Sequence, residues 1–255
     1  MAQNIVTNST TVVLGSTGGI GLACLQQLTL RGQAVVAVGR DIHRLRETTA
    51  QLRADGHQVG EFELDLGGES DGGRLMDYCD STFGNIDAVI NTAAIYEPSP
   101  ATMLDSASRE RTMGTNLRGP LVVTSALAAE MIGHGGGRIV HITSITANVS
   151  RGGYTYYEAS KAGLVAATRS MAVELASRGV TVNSVAPGWV RTPMTEQILA
   201  ECPPDRIAEL IPVGRVGEPE EIAAVAVWLA IDSPAFLTGQ TIVVDGGQSS
   251  HTSHL

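Results

Sequence analysis

Two kinds of apolar segment alternate along the chain. Short β-branched runs occur at Thr11–Leu14, Ala34–Val38, Ile86–Ile90, Arg138–Ile142, Thr181–Val185 and Thr241–Val244. Their near-continuous apolar character suits strands buried on both faces. A weaker run, Gln58–Leu64, alternates more and reads as an outer strand. Helical stretches separate them at Ile20–Arg31, Ile42–Ala54, Gly73–Phe83, Ser108–Ile132, Tyr154–Arg178 and Pro219–Ala230. This alternation predicts right-handed crossovers and a doubly wound α/β fold, with a parallel sheet of about seven strands and helices on both faces. No Pro/Ser-rich linker divides the chain, so residues 1–255 are expected to form one domain with tails at 1–10 and 248–255. The proline-bearing stretch Pro187–Pro219 holds no strand, and residues 187–218 read as a substrate loop or lid.

Composition narrows the functional classes. With 255 residues and 43% hydrophobic content, the chain can bury a sizeable core and is not disordered. The balance of 17 Lys+Arg against 26 Asp+Glu gives a net charge of -9, which repels phosphate backbones and argues against nucleic acid as a partner. The most apolar run, Ile222 to Ile231, is about half the length that crosses a bilayer. The N-terminus has neither the basic nor the apolar region of a signal peptide. Cys24, Cys79 and Cys202 are odd in number and far apart, as expected for free thiols in a reducing cytoplasm. His251 and His254 lack a third ligand, so no metal is expected there. His141, in an apolar strand, reads as a satisfied core histidine.

The first strand runs straight into Gly15-Ser16-Thr17-Gly18-Gly19-Ile20-Gly21, where a helix begins. Glycines there let the backbone approach a pyrophosphate, and the helix N-terminus offers free N–H groups and positive potential. Further on, Tyr157 and Lys161 stand four apart at the start of a long helix and so share one face. Carbonyl reduction needs an acid to protonate the developing alkoxide, and alcohol oxidation needs the matching base. A free phenol titrates near ~10, and a neighbouring ammonium is expected to lower that value. GxSxG and GK[ST] are both absent, which removes the serine-hydrolase and P-loop readings.

The spacing GxxxGxG, together with Ser144, Tyr157-Glu158-Ala159-Ser160-Lys161 and Asn183-Ser184-Val185-Ala186-Pro187-Gly188, resembles the classical short-chain dehydrogenase/reductase family from about Thr11 to Gly247. Leu14 stands where that family usually has Thr. The resemblance implies a Rossmann fold binding NAD(H) or NADP(H), and a catalytic set of Asn116, Ser144, Tyr157 and Lys161. Ser144 would hold the substrate oxygen, and Asn116 would support a water chain to the lysine. Cofactor contacts implied in the same way come from Gly15, Ser16, Thr17, Gly19, Ile20, Gly21, Asp65, Leu66, Asn91, Ala93, Tyr157, Lys161, Pro187, Gly188, Val190 and Thr192. The second strand ends in Gly39-Arg40-Asp41, not in a carboxylate that would hold a ribose 2′-hydroxyl. Arg40 there favours the 2′-phosphate of NADP(H), with NAD(H) the alternative, and Asp41 is expected to cap the following helix.

The function so implied is interconversion of a ketone and a secondary alcohol, an activity on CH–OH groups. Substrate contacts are expected from Ser144, Thr146, Tyr154, Tyr157 and Met194, and from the segments Tyr96–Pro100, Thr146–Tyr154 and Pro193–Val213. Met194, Ile198, Leu199 and Leu210 suggest an apolar body around the carbonyl, with Arg151 and Arg191 as candidate anchors. The segment from Arg215 to Asp245-Gly246-Gly247 resembles the 3-oxoacyl-(acyl-carrier-protein) reductase branch. Arg178 fits one docking position of that branch, but Glu130–Gly137 offers only His134 at the other, so a small free ketone or alcohol is preferred. An NAD(H)-dependent secondary alcohol dehydrogenase and a non-catalytic dinucleotide sensor are further alternatives. Small residues at Ala159, Ala162, Gly163, Ala166 and Ala167 suggest a homo-oligomer, a tetramer or dimer, paired through the catalytic helix.

Overall fold

A computed structural model describes residues 9–68 and 72–250. Seven strands, β1 (Thr10–Leu14), β2 (Ala34–Gly39), β3 (Val59–Glu63), β4 (Ala88–Asn91), β5 (Gly137–Ile142), β6 (Val180–Pro187) and β7 (Thr241–Val244), form one sheet. Their order is β3-β2-β1-β4-β5-β6-β7, and every pairing is parallel. The doubly wound fold expected from the apolar pattern is therefore the fold observed. The alternating run Gln58–Leu64 supplies the edge strand β3, whose outer positions remain partly exposed.

Both faces of the sheet are covered, which is why the central strands carry apolar residues in both phases. Val13, Val35, Ala37, Ile90 and Val140 point to one face, against Leu25 and Leu28 of α1 (Gly19–Leu30) and Ala223 and Val227 of α9 (Pro219–Ile231). Val12, Leu14, Val36, Val89 and Ile139 point to the other. There they meet Leu75 of α3 (Gly72–Phe83), Leu127 and Met131 of α5 (Gly119–Gly133), and Ala172 of α6 (Thr155–Leu175). Each such Leu or Val contributes about 1.5–3 kcal/mol relative to exposure, so two complete layers hold the sheet. The second helix, α2 (Ile42–Ala54), is capped as expected: Asp41 accepts hydrogen bonds from the backbone N–H groups of His43 and Arg44.

Two expectations require correction. Ser108–Ile132 is not one uniform helix: α4 (Ser106–Met113) passes through a π-helical turn at Gly114–Arg118 before α5 begins. A π turn accommodates an extra residue, a device frequent at functional sites, and this one holds Asn116 fully buried. Within Pro187–Pro219 there is no named strand, but the segment is not structureless. It contains α7 (Glu196–Ala200) and α8 (Pro204–Leu210). It is tied down by a bridge between Val190 and Gly217, by Val213 N–H donating to Gly246 at 3.2 Å, and by an Arg215–Glu221 ion pair.

Candidate active site

The strand order reverses between β1 and β4, and open parallel sheets bind ligands beyond their C-terminal strand ends at such a point. A cavity of about 550 Å³ lies there. Its floor is the turn from β1 into α1. Gly15 adopts φ +79°, and a Cβ on it would stand 2.6 Å from the Ala93 Cα; a Cβ on Gly21 would stand 2.5 Å from the Gly15 carbonyl oxygen. Side chains are thus excluded by backbone packing. Gly18 caps α1 without any side-chain acceptor, so the first N–H groups of the helix are left for a ligand.

Of the residues expected to hold a dinucleotide, Gly15, Thr17, Gly19, Ile20, Gly21, Arg40, Asp65, Leu66, Ala93, Tyr157, Lys161, Pro187, Gly188, Val190 and Thr192 line this cavity. Ser16 and Asn91 do not. The Ser16 hydroxyl and backbone N–H both donate to the Val38 carbonyl, binding the turn to β2. Asn91 is fully buried behind the cavity, where its Oδ1 accepts from the Ala93 N–H at 3.3 Å. Both side chains are engaged within the protein, Ser16 on backbone and Asn91 on the Ala93 N–H and the His141 ring. Arg44 lines the cavity beside Arg40 and went unremarked, although it stands one helical turn further along α2. Asp41 also lines this end, but its carboxylate is occupied by the helix cap, whose hydrogen bonds hold its pKa below the usual value.

At the inner end, Ser144, Tyr157 and Lys161 converge. Tyr157 hydrogen-bonds Ser144, whose Oγ also accepts from the Thr146 N–H at 3.1 Å and pairs with the Thr146 hydroxyl at 2.9 Å. Lys161 Nζ lies 5.7 Å from the centre of the Tyr157 ring and donates to the Ile142 carbonyl at 2.9 Å. Burial pushes the Tyr157 phenol up to about 12, opposite to the lowering expected of its neighbouring lysine. Desolvation outweighs the hydrogen bond with Ser144, the one lowering influence on the phenol. Burial also brings Lys161 down to about 8, so part of its charge is already lost near neutrality.

Asn116 does not line the cavity. Its Oδ1 accepts from the Ile95 N–H at 2.8 Å, while its Nδ2 donates to the Ile95 carbonyl at 2.9 Å and to the Ser160 hydroxyl at 3.2 Å. The side chain therefore clamps the loop after β4 onto α6. His141 is buried but only half satisfied: Nδ1 lies 3.4 Å from Asn91 Nδ2, and Nε2 has no partner. Burial, with the nearby Lys161 charge, lowers its pKa to about 3 and keeps the ring neutral.

A second cavity of about 640 Å³ adjoins the first and shares Ser144, Tyr157, Gly188, Met194 and Thr195 with it. Thr146, Ile198, Leu199, Leu210 and Arg151 line it. Tyr154 does not; it stacks on Tyr96, with ring centres 4.1 Å apart, and Tyr96 occupies the wall. Arg191 is likewise elsewhere, paired with Glu218. Arg206, within the expected Pro193–Val213 segment, also lines it, as do Trp189, Gln248 and Ser249, which lie outside the segments expected to meet the substrate. Gln248 and Ser249 fall within the expected C-terminal tail, yet both line the cavity and Gln248 Oε1 accepts from the Trp189 N–H at 3.1 Å. His251 and His254 lie outside the described residues. Among the described residues no group of three His, Cys, Asp or Glu is placed to hold a metal ion, and no helix is long and apolar enough to cross a membrane.

A dinucleotide cradle joined to a Ser-Tyr-Lys cluster defines a class of enzyme, and comparison with known proteins agrees. A family model described as enoyl-(acyl carrier protein) reductase matches residues 15–249. The cis-4-hydroxycyclohexanecarboxylate dehydrogenase of Sinomonas cyclohexanicum is 35% identical, covering 94% of this chain and 96% of its own. A 3-oxoacyl-(acyl-carrier-protein) reductase of Synechocystis is 34% identical, covering 95% and 97%. A solved gluconate 5-dehydrogenase from Burkholderia cenocepacia, in complex with NADP and tartrate, superposes with a TM-score of 0.91 at 27% identity, covering 96% of each chain. The chain belongs to the short-chain dehydrogenase/reductase family, in the branch similar to 3-oxoacyl-(acyl-carrier-protein) reductases. It is an oxidoreductase acting on alcohol or ketone substrates, in a family that uses NAD(H) or NADP(H).

Proposed function

We propose that the protein is an NADP(H)-dependent oxidoreductase that interconverts a small free ketone and its secondary alcohol, with Tyr157 as the general acid and base. The observation that carries this reading is the meeting of the two cavities at Ser144 and Tyr157. A group in either cavity reaches the same phenol. The nicotinamide supplies the hydride. The Tyr157 hydroxyl gives its proton to the carbonyl oxygen in reduction and takes it back in oxidation, while the Ser144 hydroxyl holds that oxygen and stabilises its developing charge. Lys161 carries a positive charge behind the phenol and favours its ionised form.

The free N–H groups at the start of α1 suit a pyrophosphate, and the cavity of about 550 Å³ falls in the size range of cofactor sites. Arg40 and Arg44 border the adenosine end, and Asp41 between them turns its Oδ1 to the backbone N–H groups of His43 and Arg44. That charge pattern supports the 2′-phosphate of NADP(H) over NAD(H). A small free substrate is favoured over a carrier-protein thioester, because His134 before β5 is paired with Glu130 and leaves Arg178 as a single basic docking point. Ala159, Ala162 and Ala166 are exposed along α6, which supports pairing of subunits through that helix. The unpaired state of Cys24, Cys79 and Cys202 supports a reducing cytoplasm.

Titration of the purified protein with NADPH and NADH, followed by a ketone screen with the better cofactor, tests the reading. NADPH is expected to bind at least about tenfold tighter, a gap of about 1.4 kcal/mol, and to support reduction. Tighter binding of NADH would reverse the cofactor assignment. Binding of neither would remove the enzyme reading altogether.

A further inference from the structure

The second cavity is apolar along the lid, at Val149, Met194, Ile198, Leu199 and Leu210, and polar at Ser144 and Tyr157. One further group breaks that pattern. Arg151 lines the cavity from the loop before α6 and is held there by aromatic rings on two sides. Its guanidinium carbon lies 5.3 Å from the centre of the Trp189 ring and 5.4 Å from that of Tyr154. Nη1 donates to the Tyr96 hydroxyl at 2.9 Å, and Tyr96 in turn meets Tyr157 edge-on with ring centres 4.6 Å apart. The guanidinium is therefore fixed one aromatic ring away from the proposed proton donor.

Among the described residues, no carboxylate forms an ion pair with Arg151. The nearby Glu158 is spent, accepting from the Arg151 backbone N–H through one oxygen and from the Ser150 hydroxyl through the other. Arg206, also in the lining, is neutralised by Glu209 at 2.8 Å. The two surface arginines that flank the cofactor and lid segments on the same side, Arg191 and Arg215, are paired with Glu218 and Glu221. A planar, pre-oriented fork with donors to spare, set at the edge of an apolar cavity, is the arrangement that recognises a carboxylate.

We infer that the substrate of this enzyme is anionic: an oxo or hydroxy acid whose carboxylate is bound by Arg151, with a short apolar spacer against the lid, and its carbonyl at Ser144 and Tyr157. The inference rests on the proposed reaction for the position of the carbonyl, but the anion site is testable without turnover. The chain has two tryptophans; Trp228 stands on α9, outside the cavity lining. In a Trp228→Phe background, Trp189 becomes the sole indole reporter beside Arg151. This protein, saturated with its oxidised nicotinamide cofactor, is titrated with cyclohexanecarboxylate and with cyclohexanecarboxamide.

The carboxylate is expected to change the Trp189 fluorescence saturably and to bind at least tenfold tighter than the amide. Arg151→Leu is expected to bring the two ligands within twofold of each other, Arg151→Lys to retain part of the preference, and Arg206→Leu to leave it intact. Unchanged cofactor affinity in each variant verifies the fold. Equal binding of the two ligands by the parent, no binding of the carboxylate, or a preference that survives Arg151→Leu would overturn the inference. Reduction of 4-oxocyclohexanecarboxylate and of its methyl ester separates the two levels. Equal kcat/KM for acid and ester leaves the reaction standing and removes the anion site. Carboxylate preference in binding without reduction of either ketone leaves the anion site and removes the reaction.

Discussion

The two adjoining cavities are built in opposite ways. The first cavity is floored by a glycine turn and strand ends: the Gly15–Gly21 turn, the tips of β2 and β4, and the Pro187–Thr192 segment. The second cavity gathers residues from widely separated places, among them Tyr96, the Ser144–Arg151 segment, Tyr157, Trp189, the helices α7 and α8, and Gln248–Ser249. A backbone cradle tolerates few residues at each position, because a Cβ on Gly15 or Gly21 meets main-chain atoms. A side-chain cavity can be relined without disturbing the sheet. On the proposed function, one half would hold the chemistry steady while the other is free to set the substrate.

The largest expected effect falls on the seam between them. Tyr157→Phe should lower kcat by about 10²–10⁴-fold, the range associated with a positioned proton donor, while both NADPH and substrate still bind. Loss of cofactor binding in this variant would show that the seam is not separable from the cradle. Steady-state rates and a cofactor titration decide it. Next, Arg40→Leu should weaken NADPH by about tenfold or more, as expected for a lost charge-assisted hydrogen bond of about 1.5–3 kcal/mol, and leave NADH unchanged. An equal loss for both cofactors would mean that Arg40 does not read the 2′ position.

Lys161 probes the cost of the seam to the fold. Its pKa falls from 10.5 to about 8 on burial, so between those values the unfolded chain binds more protons and stability rises with pH. Below about 8 the buried charge is a penalty. Lys161→Met should therefore be inactive yet more stable near neutrality by ~2 kcal/mol, after allowing for the lost bond to the Ile142 carbonyl. The advantage should shrink as pH rises through that window, a trend that denaturant melts at several pH values would reveal. The smallest effect belongs to Asp41→Ala. It removes the α2 cap and should lower Tm slightly, with no change in the ratio of NADPH to NADH affinity. A large change in that ratio would place Asp41 in the ribose site instead.

How much of this was legible depends on the range of the interaction. β1 and the Gly15–Gly21 turn are local: strand, tight turn and helix start follow one another within a dozen residues, so their signal is contiguous. Tyr157 and Lys161 share a helix face by spacing alone. Ser16 and Asn91 sit inside the right motifs, but their side chains turn to Val38 and Ala93, and only the packing shows which way they face. The π turn at Gly114–Arg118 has no apolar period to announce it, so Asn116 was found while its clamp on Ile95 was not. Gln248 reaches Trp189 across 59 positions, a contact invisible to any local pattern.

By itself, then, the amino-acid order determined the seven-stranded parallel sheet, the dinucleotide turn and the Tyr157–Lys161 pair, because each rests on periodicity or on spacing within one element. Tertiary structure alone decided that Tyr157 is pushed up in pKa and not down, that Arg151 and not Arg191 lines the second cavity, and that residues 248 and 249 line it too. The physical reason is common to all three. Desolvation, charge pairing and cavity walls are sums over neighbours distant in the chain, and no stretch of sequence contains that sum.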